Sequence, residues 1–416
     1  MSKNTRRFAL LAAAAALLLS GCAVDDSQSG GASTGGESIT FGWLLPQTGP
    51  IASLGAPQIA ALELAASDIN EAGGVLGSDL RLSGGDEAGD PAVAGQAVDR
   101  LLSEGVPVII GAGSSSISLS VIDKITGSGT LQCSGMNTTP ELSEYPDNGL
   151  YFRTVPSDVL QGAVLAQRIA GDGGENVAIV SRSDSYATGI ANSTEAAIEE
   201  AGMTVANRVD YDPNATNLDA EVRSIVAAQP DSIVVFAFDE GAKILQGLIQ
   251  AGAGPADVRL YGTDAMPISS LAESVDPSNP AALEGMTFTQ ASSGEGGSFS
   301  ERLLQENPGL ETTAFTPYFY DCAVLSALAI EQAGSADPAD FSQELIALTN
   351  EGEECTSYAD CKAKIAEGTD VQYIGAAGPL LFSEAGEPTT GLYDVLVMQS
   401  DGTAETVDTV REPQNR

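Results

Sequence analysis

The sequence predicts an α/β protein built from two doubly wound domains. Short apolar, β-rich runs alternate with amphipathic helical patterns, and this alternation occurs twice, over about 39–150 and again over about 176–262. The strand runs are nearly continuous in apolar residues, as in parallel sheets covered by helices on both faces. In such sheets ligands bind beyond the carboxyl ends of the strands, where strand order reverses. Two such domains facing each other would form a cleft.

The elements follow in order. Residues 1–21 read as a signal peptide: Lys3, Arg6 and Arg7 precede an apolar run from Phe8 to Leu19, which Ser20 and Gly21 close. That run is too short for a permanent membrane helix. Leu19-Ser20-Gly21-Cys22 resembles the lipobox of bacterial lipoproteins, in which the cysteine is acylated and the chain is cut before it. The mature chain is therefore expected to begin at lipidated Cys22, on the extracytoplasmic face of the membrane. Residues 22–37 are largely Ser, Gly and Asp and read as a flexible tether. Strands are expected over 39–45, 80–83, 106–110, 130–133, 177–180, 205–209, 233–238 and 258–261. The first helix shows apolar Ile59, Leu62, Ala66 and Ile69 on one face and stops at Gly73-Gly74.

Composition narrows function. The chain carries 57 acidic against 18 basic residues, a formal charge of −39. Such a surface repels nucleic acid and anionic lipid. The absence of histidine removes Ser-His-Asp and Cys-His catalysis and His-ligated zinc. No cofactor, metal or enzymatic activity is expected. Four cysteines follow Cys22, an even count that favours disulfides in an exported protein. Cys355 and Cys361 lie in EECTSYADCK and are expected to close a small loop, which leaves Cys133 to pair with Cys322.

Several segments beyond strand ends carry chemistry. In VIIGAGSSS at 108–116 a strand turns on glycines into a helix, so its N–H groups and the hydroxyls of Ser115 and Ser116 would face an anion. A plain Gly/Ser turn is the competing reading. GMNTTPE at 135–141 would present Thr138 to the same cleft, and Asp264 in YGTDA would hold a cation. Tyr186 would pack its ring over that cation. Phe236 and Phe238 begin as strand residues, at least one of them core, and Phe315 in FTPYFY also reads as core.

Taken in order, these segments resemble the substrate-binding lipoproteins of branched-chain amino acid ABC transporters. PQTGPIASLG at 46–55, ASDINEAGGVLG at 66–77, DEAGDP at 86–91, TTPEL at 138–142 and YFRT at 151–154 carry the resemblance, together with the serines after Gly111. It spans almost all of 38–410. It implies a clamshell of two Rossmann-like lobes joined by a three-strand hinge, one lobe of 38–155 plus 291–393 and the other of 156–290 plus 394–410. The implied ligand is an amino acid or similar small polar metabolite, passed by a monomer to a membrane permease and its ATPase; a sensory receptor of the same fold is the alternative. By resemblance Ser115 and Thr138 receive the ligand carboxylate. The backbone carbonyl of Met136 and the acid of Asp264 meet its ammonium. Tyr186 and a ring near Ala237, either Phe236 or Phe238, come from the second lobe, and Phe315 touches the ligand side chain. Leu54 stands where branched-chain binders usually place a tyrosine, which leaves the cargo open among amino acids, amides and small carboxylates.

Overall fold

The computed structural model describes residues 38–413 apart from 293 and 295–297. The leader, Cys22 and the tether lie outside the described residues. No helix among these residues is long and apolar enough to cross a membrane.

The first sheet contains β1 (Ile39–Leu45), β2 (Leu80–Asp86), β3 (Val108–Gly111), β4 (Leu131–Ser134) and β5 (Tyr151–Arg153), in the order β2-β1-β3-β4-β5. All its pairs are parallel. The second sheet contains β6 (Asn176–Arg182), β7 (Thr204–Tyr211), β8 (Ser232–Phe236), β9 (Arg259–Thr263) and β10 (Thr287–Ala291). A small sheet of β11 (Glu353–Cys355), β12 (Val371–Gly375) and β13 (Gly378–Pro379) follows in sequence. The last hairpin, β14 (Thr390–Met398) and β15 (Ala404–Pro413), returns to the second sheet, whose order is β15-β14-β10-β9-β8-β6-β7. The chain thus passes between the sheets three times, after Arg153, after Ala291 and before Thr390. Strand order reverses between β1 and β3 and again between β6 and β8, so each sheet has one switch point.

Helices α1 (Gly55–Glu71), α2 (Pro91–Ser103) and α3 (Ser115–Gly127) belong to the first sheet. With the second lie α4 (Asp158–Gly171), α5 (Ser185–Glu200), α6 (Asp219–Ala227), α7 (Gly241–Gln250) and α8 (Ile268–Val275). The chain then forms α9 (Ser298–Glu306) and α10 (Thr316–Ala333), the latter packed against α1. Three helices near the cleft, α3, α4 and α5, are capped by a short polar side chain. The Ser114, Ser157 and Asp184 oxygens accept from Ile117, Val159 and Ala187 N–H, which satisfies orphan donors of the first turn. Helix α10 is apolar around most of its circumference and is buried from Thr316 to Ile330. The Cys133–Cys322 disulfide ties β4 to α10, and Cys355–Cys361 closes a six-residue separation.

Two elements differ from the sequence reading. Strand β8 ends at Phe236, which stays in the core, while Phe238 leaves the sheet. The β14–β15 hairpin escapes periodic reading because β15, at the sheet edge, is polar and mostly exposed, while β14 alternates half-buried with buried positions. An antiparallel edge pair with one wet face lacks the continuous apolar run of a central parallel strand.

Candidate functional site

One small, closely lined cavity lies between the two sheets. Its lining comes from the loops after five strands: Gly113–Ser115 after β3, Met136 and Thr138 after β4, Tyr186 after β6, Phe238 after β8, and Asp264 and Ala265 after β9, with Phe315 at the start of α10. Seven of the nine sequence-chosen ligand residues therefore meet in one place: Ser115, Met136, Thr138, Tyr186, Phe238, Asp264 and Phe315.

The other two do not line it. The Ser116 Oγ accepts from the Ser185 N–H at 3.2 Å, so it joins α3 to α5 across the cleft. Leu54 ends a short 3-10 turn and buries its isobutyl group in the large apolar core. Their side chains find partners elsewhere.

The first lobe supplies hydroxyls. Ser115 Oγ and Thr138 Oγ1 are buried and have no hydrogen-bond partner among the described residues. The Gly/Ser loop differs from the expected open anion cradle. Buried Glu87, just past β2, already accepts from Gly113 N–H at 2.6 Å and Ser114 N–H at 3.2 Å. Burial pushes its carboxyl up to about 8, against the pull of those two donors. What the loop still offers is the Ser115 hydroxyl and the open first turn of α3.

Arg153, at the end of β5, holds the neighbouring loop. Its guanidinium donates to the Asn137 and Thr139 carbonyls at 3.1 and 2.9 Å and forms a buried ion pair with Glu387. Thr138 is thus gripped on both sides. Sequence reasoning missed this arginine because the carbonyls it binds are fourteen or more positions away.

The second lobe supplies a carboxylate and two rings. Asp264 Oδ2 accepts from Ala291 N–H at 2.8 Å, and Oδ1 from Gln161 Nε2 at 3.3 Å. Burial pushes Asp264 up to about 6, although both donors favour its charged form. The Tyr186 and Phe238 rings stack with centroids 5.5 Å apart, and the Tyr186 hydroxyl meets Thr263 Oγ1 at 2.9 Å. Arg182 lies 3.9 Å from the Phe238 ring centroid and is paired with Asp184 and Glu240. Phe315 holds its backbone at φ 62° to start α10, a conformation costly for a bulky residue and typical of constrained sites.

Asp158 is the site's hidden acid. It opens α4, its N–H donates to the Thr138 carbonyl at 2.9 Å, and neither of its oxygens has a hydrogen-bond partner of full geometry among the described residues. Burial pushes its carboxyl up to about 8; the nearby Thr138 hydroxyl and Arg153 charge oppose this, and Asp264 adds to it. No sequence motif singles it out, since an acid at a helix start is commonplace.

The lobes touch around the cavity. A Cβ placed on Gly189 of α5 would come within 2.6 Å of Thr139 Oγ1 and 3.0 Å of Pro140 Cδ. Only a glycine permits so close an approach.

With this geometry established, the chain can be set beside known proteins. Residues 38–385 match the family described as Periplasmic binding protein. The Leu/Ile/Val-binding protein homolog 3 of Brucella melitensis is 25% identical over 88% of this chain and 93% of its own length. The leucine-, isoleucine-, valine-, threonine-, and alanine-binding protein of Pseudomonas aeruginosa is 28% identical over 77% and 85%. The chemotactic signal transduction system substrate-binding protein BasB of Halobacterium salinarum is 26% identical over 86% of each. Among solved structures, an ABC transporter substrate-binding protein from Desulfitobacterium hafniense in complex with Leu superposes with a TM-score of 0.68 at 25% identity, covering 89% of this chain and all of that one. A solute binding protein from R. palustris in complex with 4-hydroxybenzoate shares the fold, with a TM-score of 0.74 at 17% identity over 91% and 98%. This chain belongs to the periplasmic binding protein family, in the type 1 fold of the branched-chain amino acid transporter binding proteins.

Proposed function

We propose that this protein is a non-enzymatic, extracytoplasmic receptor, lipid-anchored at Cys22, that captures an amino acid or similar small polar metabolite between its lobes. It then delivers the ligand, as a monomer, to an ABC permease and its ATPase. The observation that carries this reading is the pairing of opposites across one cavity. Unpartnered hydroxyls of Ser115 and Thr138 face it from one lobe, and the buried acid of Asp264 from the other. A zwitterion matches that pattern end for end. Its carboxylate takes the two hydroxyls and the first turn of α3. Its ammonium takes Asp264 and the Met136 carbonyl, beside the Tyr186 ring, with Asp158 behind Thr138. Phe238 and Phe315 cover the side chain. The ligand holds the two lobes closed by a hinge motion.

A sensory role is the second reading, favoured by the chemotactic relative from Halobacterium salinarum. A thermal-shift screen tests ligand class, because a ligand that binds only the folded state raises the melting temperature. Free amino acids are expected to raise it, and their decarboxylated and deaminated analogues to leave it unchanged. A shift with the analogues alone would overturn the zwitterion reading. Deleting the gene then separates the two roles: loss of labelled ligand uptake marks transport, and loss of a motility response with uptake intact marks sensing.

A further inference from the structure

The first-lobe wall of the cavity hides a polar group that none of these roles uses. Gln58, in the first turn of α1, has no exposed surface. Its Nε2 donates to Met136 Sδ at 3.0 Å, and a thioether is a weak acceptor. Its Oε1 has no hydrogen-bond partner among the described residues. Turning the amide over would set oxygen lone pairs against sulfur and leave two N–H donors unpaired, so this orientation is the better of the two. An unsatisfied buried carbonyl is destabilising, whereas an apolar side chain of the same shape would avoid that cost.

Its location gives this unpaired atom a use. Met136 lines the cavity, so the Gln58 amide stands one side chain behind the wall. Methionine is unbranched and repacks readily; a shift of its thioether would uncover the Gln58 amide, whose Nε2 it now covers, and free that amide to turn Oε1 toward the cavity. The other unpartnered groups at the site are spoken for: Ser115 and Thr138 suit a carboxylate, and Asp158 lies behind Thr138, bonded to its carbonyl. Gln58 is left over once the main-chain groups of an amino acid are matched.

We propose that Gln58 is a specificity-determining residue, whose Oε1 accepts a hydrogen bond from a hydroxyl or carboxamide near the tip of the ligand's side chain. The cargo is then an amino acid with a short, donor-bearing polar side chain, and branched aliphatic side chains are disfavoured. This rests on the zwitterion reading and sharpens it. Phe238, Phe315 and the Met136 chain bury the ligand's carbons, and one amide oxygen reads its end. A site built to bond a buried donor discriminates against an analogue that lacks it, because the acceptor is otherwise left unpaired.

Calorimetry on the full chain with near-isosteric pairs tests this: L-asparagine against L-leucine, L-threonine against L-valine, and L-glutamine against L-methionine. The polar member of at least one pair is expected to bind about tenfold tighter or more. Gln58→Met is expected to bring that ratio close to one by weakening the polar member while the apolar one binds as before. Equal or tighter binding of the apolar members to the unmodified protein overturns the proposal, and needs no variant to do so. A ratio unchanged in Gln58→Met overturns it as well. If none of the six binds, the amino acid reading fails and this proposal falls with it; binding of all six at ratios near one defeats the Gln58 role alone.

Discussion

The Ala291 N–H donates to Asp264 Oδ2 at 2.8 Å, and Ala291 is the last residue of β10 before the chain leaves the second sheet. The acid facing the cavity is thus bonded directly to a crossing between the lobes. A ligand that drew on Asp264 would also draw on the segment that joins the lobes.

Asp264 should make binding pH-dependent. Its carboxyl is raised to about 6 in the folded protein, so it is charged, and able to hold an ammonium, only above that pH. Affinity for an amine-bearing ligand is expected to fall about tenfold per pH unit below 6. The folded state holds this proton more tightly than the unfolded chain, so the group's contribution to stability is full below the unfolded pKa and lost as pH rises through about 6. Asp264→Asn should lose the pH dependence of binding and bind at least about 100-fold more weakly at pH 7; its single acceptor oxygen serves only one of the Ala291 and Gln161 donors, which offsets part of the stability gained by removing a buried charge. Calorimetry and melting curves across this range check both; unchanged affinity in the variant would sink the assignment.

Gly189→Ala should impair closure without unfolding either lobe. The new methyl would meet Thr139 Oγ1 and Pro140 across the interlobe contact, while alanine in place of glycine inside α5 favours the helix by about 0.5–1 kcal/mol. The ligand-free protein should melt at the same temperature or higher, and bound ligand should dissociate about ten times faster. Stopped-flow release measures it, and an unaltered off-rate would show that this contact does not govern closure.

The two disulfides should differ in weight. Cys133–Cys322 spans 189 positions and Cys355–Cys361 spans six, and the chain-entropy account of cross-links favours the longer loop. Replacing both Cys133 and Cys322 with alanine is expected to cost about 2–5 kcal/mol. It should also loosen the Met136–Thr138 loop and the start of α10 together, since each follows or leads into one of the linked elements. Denaturant melts of the two double variants decide the order; equal losses would contradict it.

Cys22→Ala should release the protein from the membrane. Labelled palmitate is expected on the unmodified chain and not on the variant, which should appear in the soluble fraction with its ligand affinity intact. Membrane retention of the variant would count against the lipid anchor.

The strand–helix alternation was legible because central parallel strands and amphipathic helices write their burial into local periodicity. Most of the site was legible too, because ligands in doubly wound folds gather beyond strand ends, and seven chosen residues meet there. Ser116 and Leu54 show where adjacency stops being informative. One side chain turns to the other lobe and the other to the core, a difference set by the tertiary path and not by neighbours in sequence.

The fold class, the expected anchor at Cys22, the lack of histidine chemistry and the loops that meet in the cleft are all written in the linear order of residues. Which polar groups are already engaged emerges in three dimensions. Glu87 occupies two N–H groups of the Gly/Ser loop, Arg153 pins the loop of Thr138, and Gln58 and Asp158 are buried with oxygens unmatched. The physical reason is that burial and hydrogen-bond satisfaction are properties of surroundings. A glutamine on a helix reads the same in sequence whether water or a cavity wall lies beyond it.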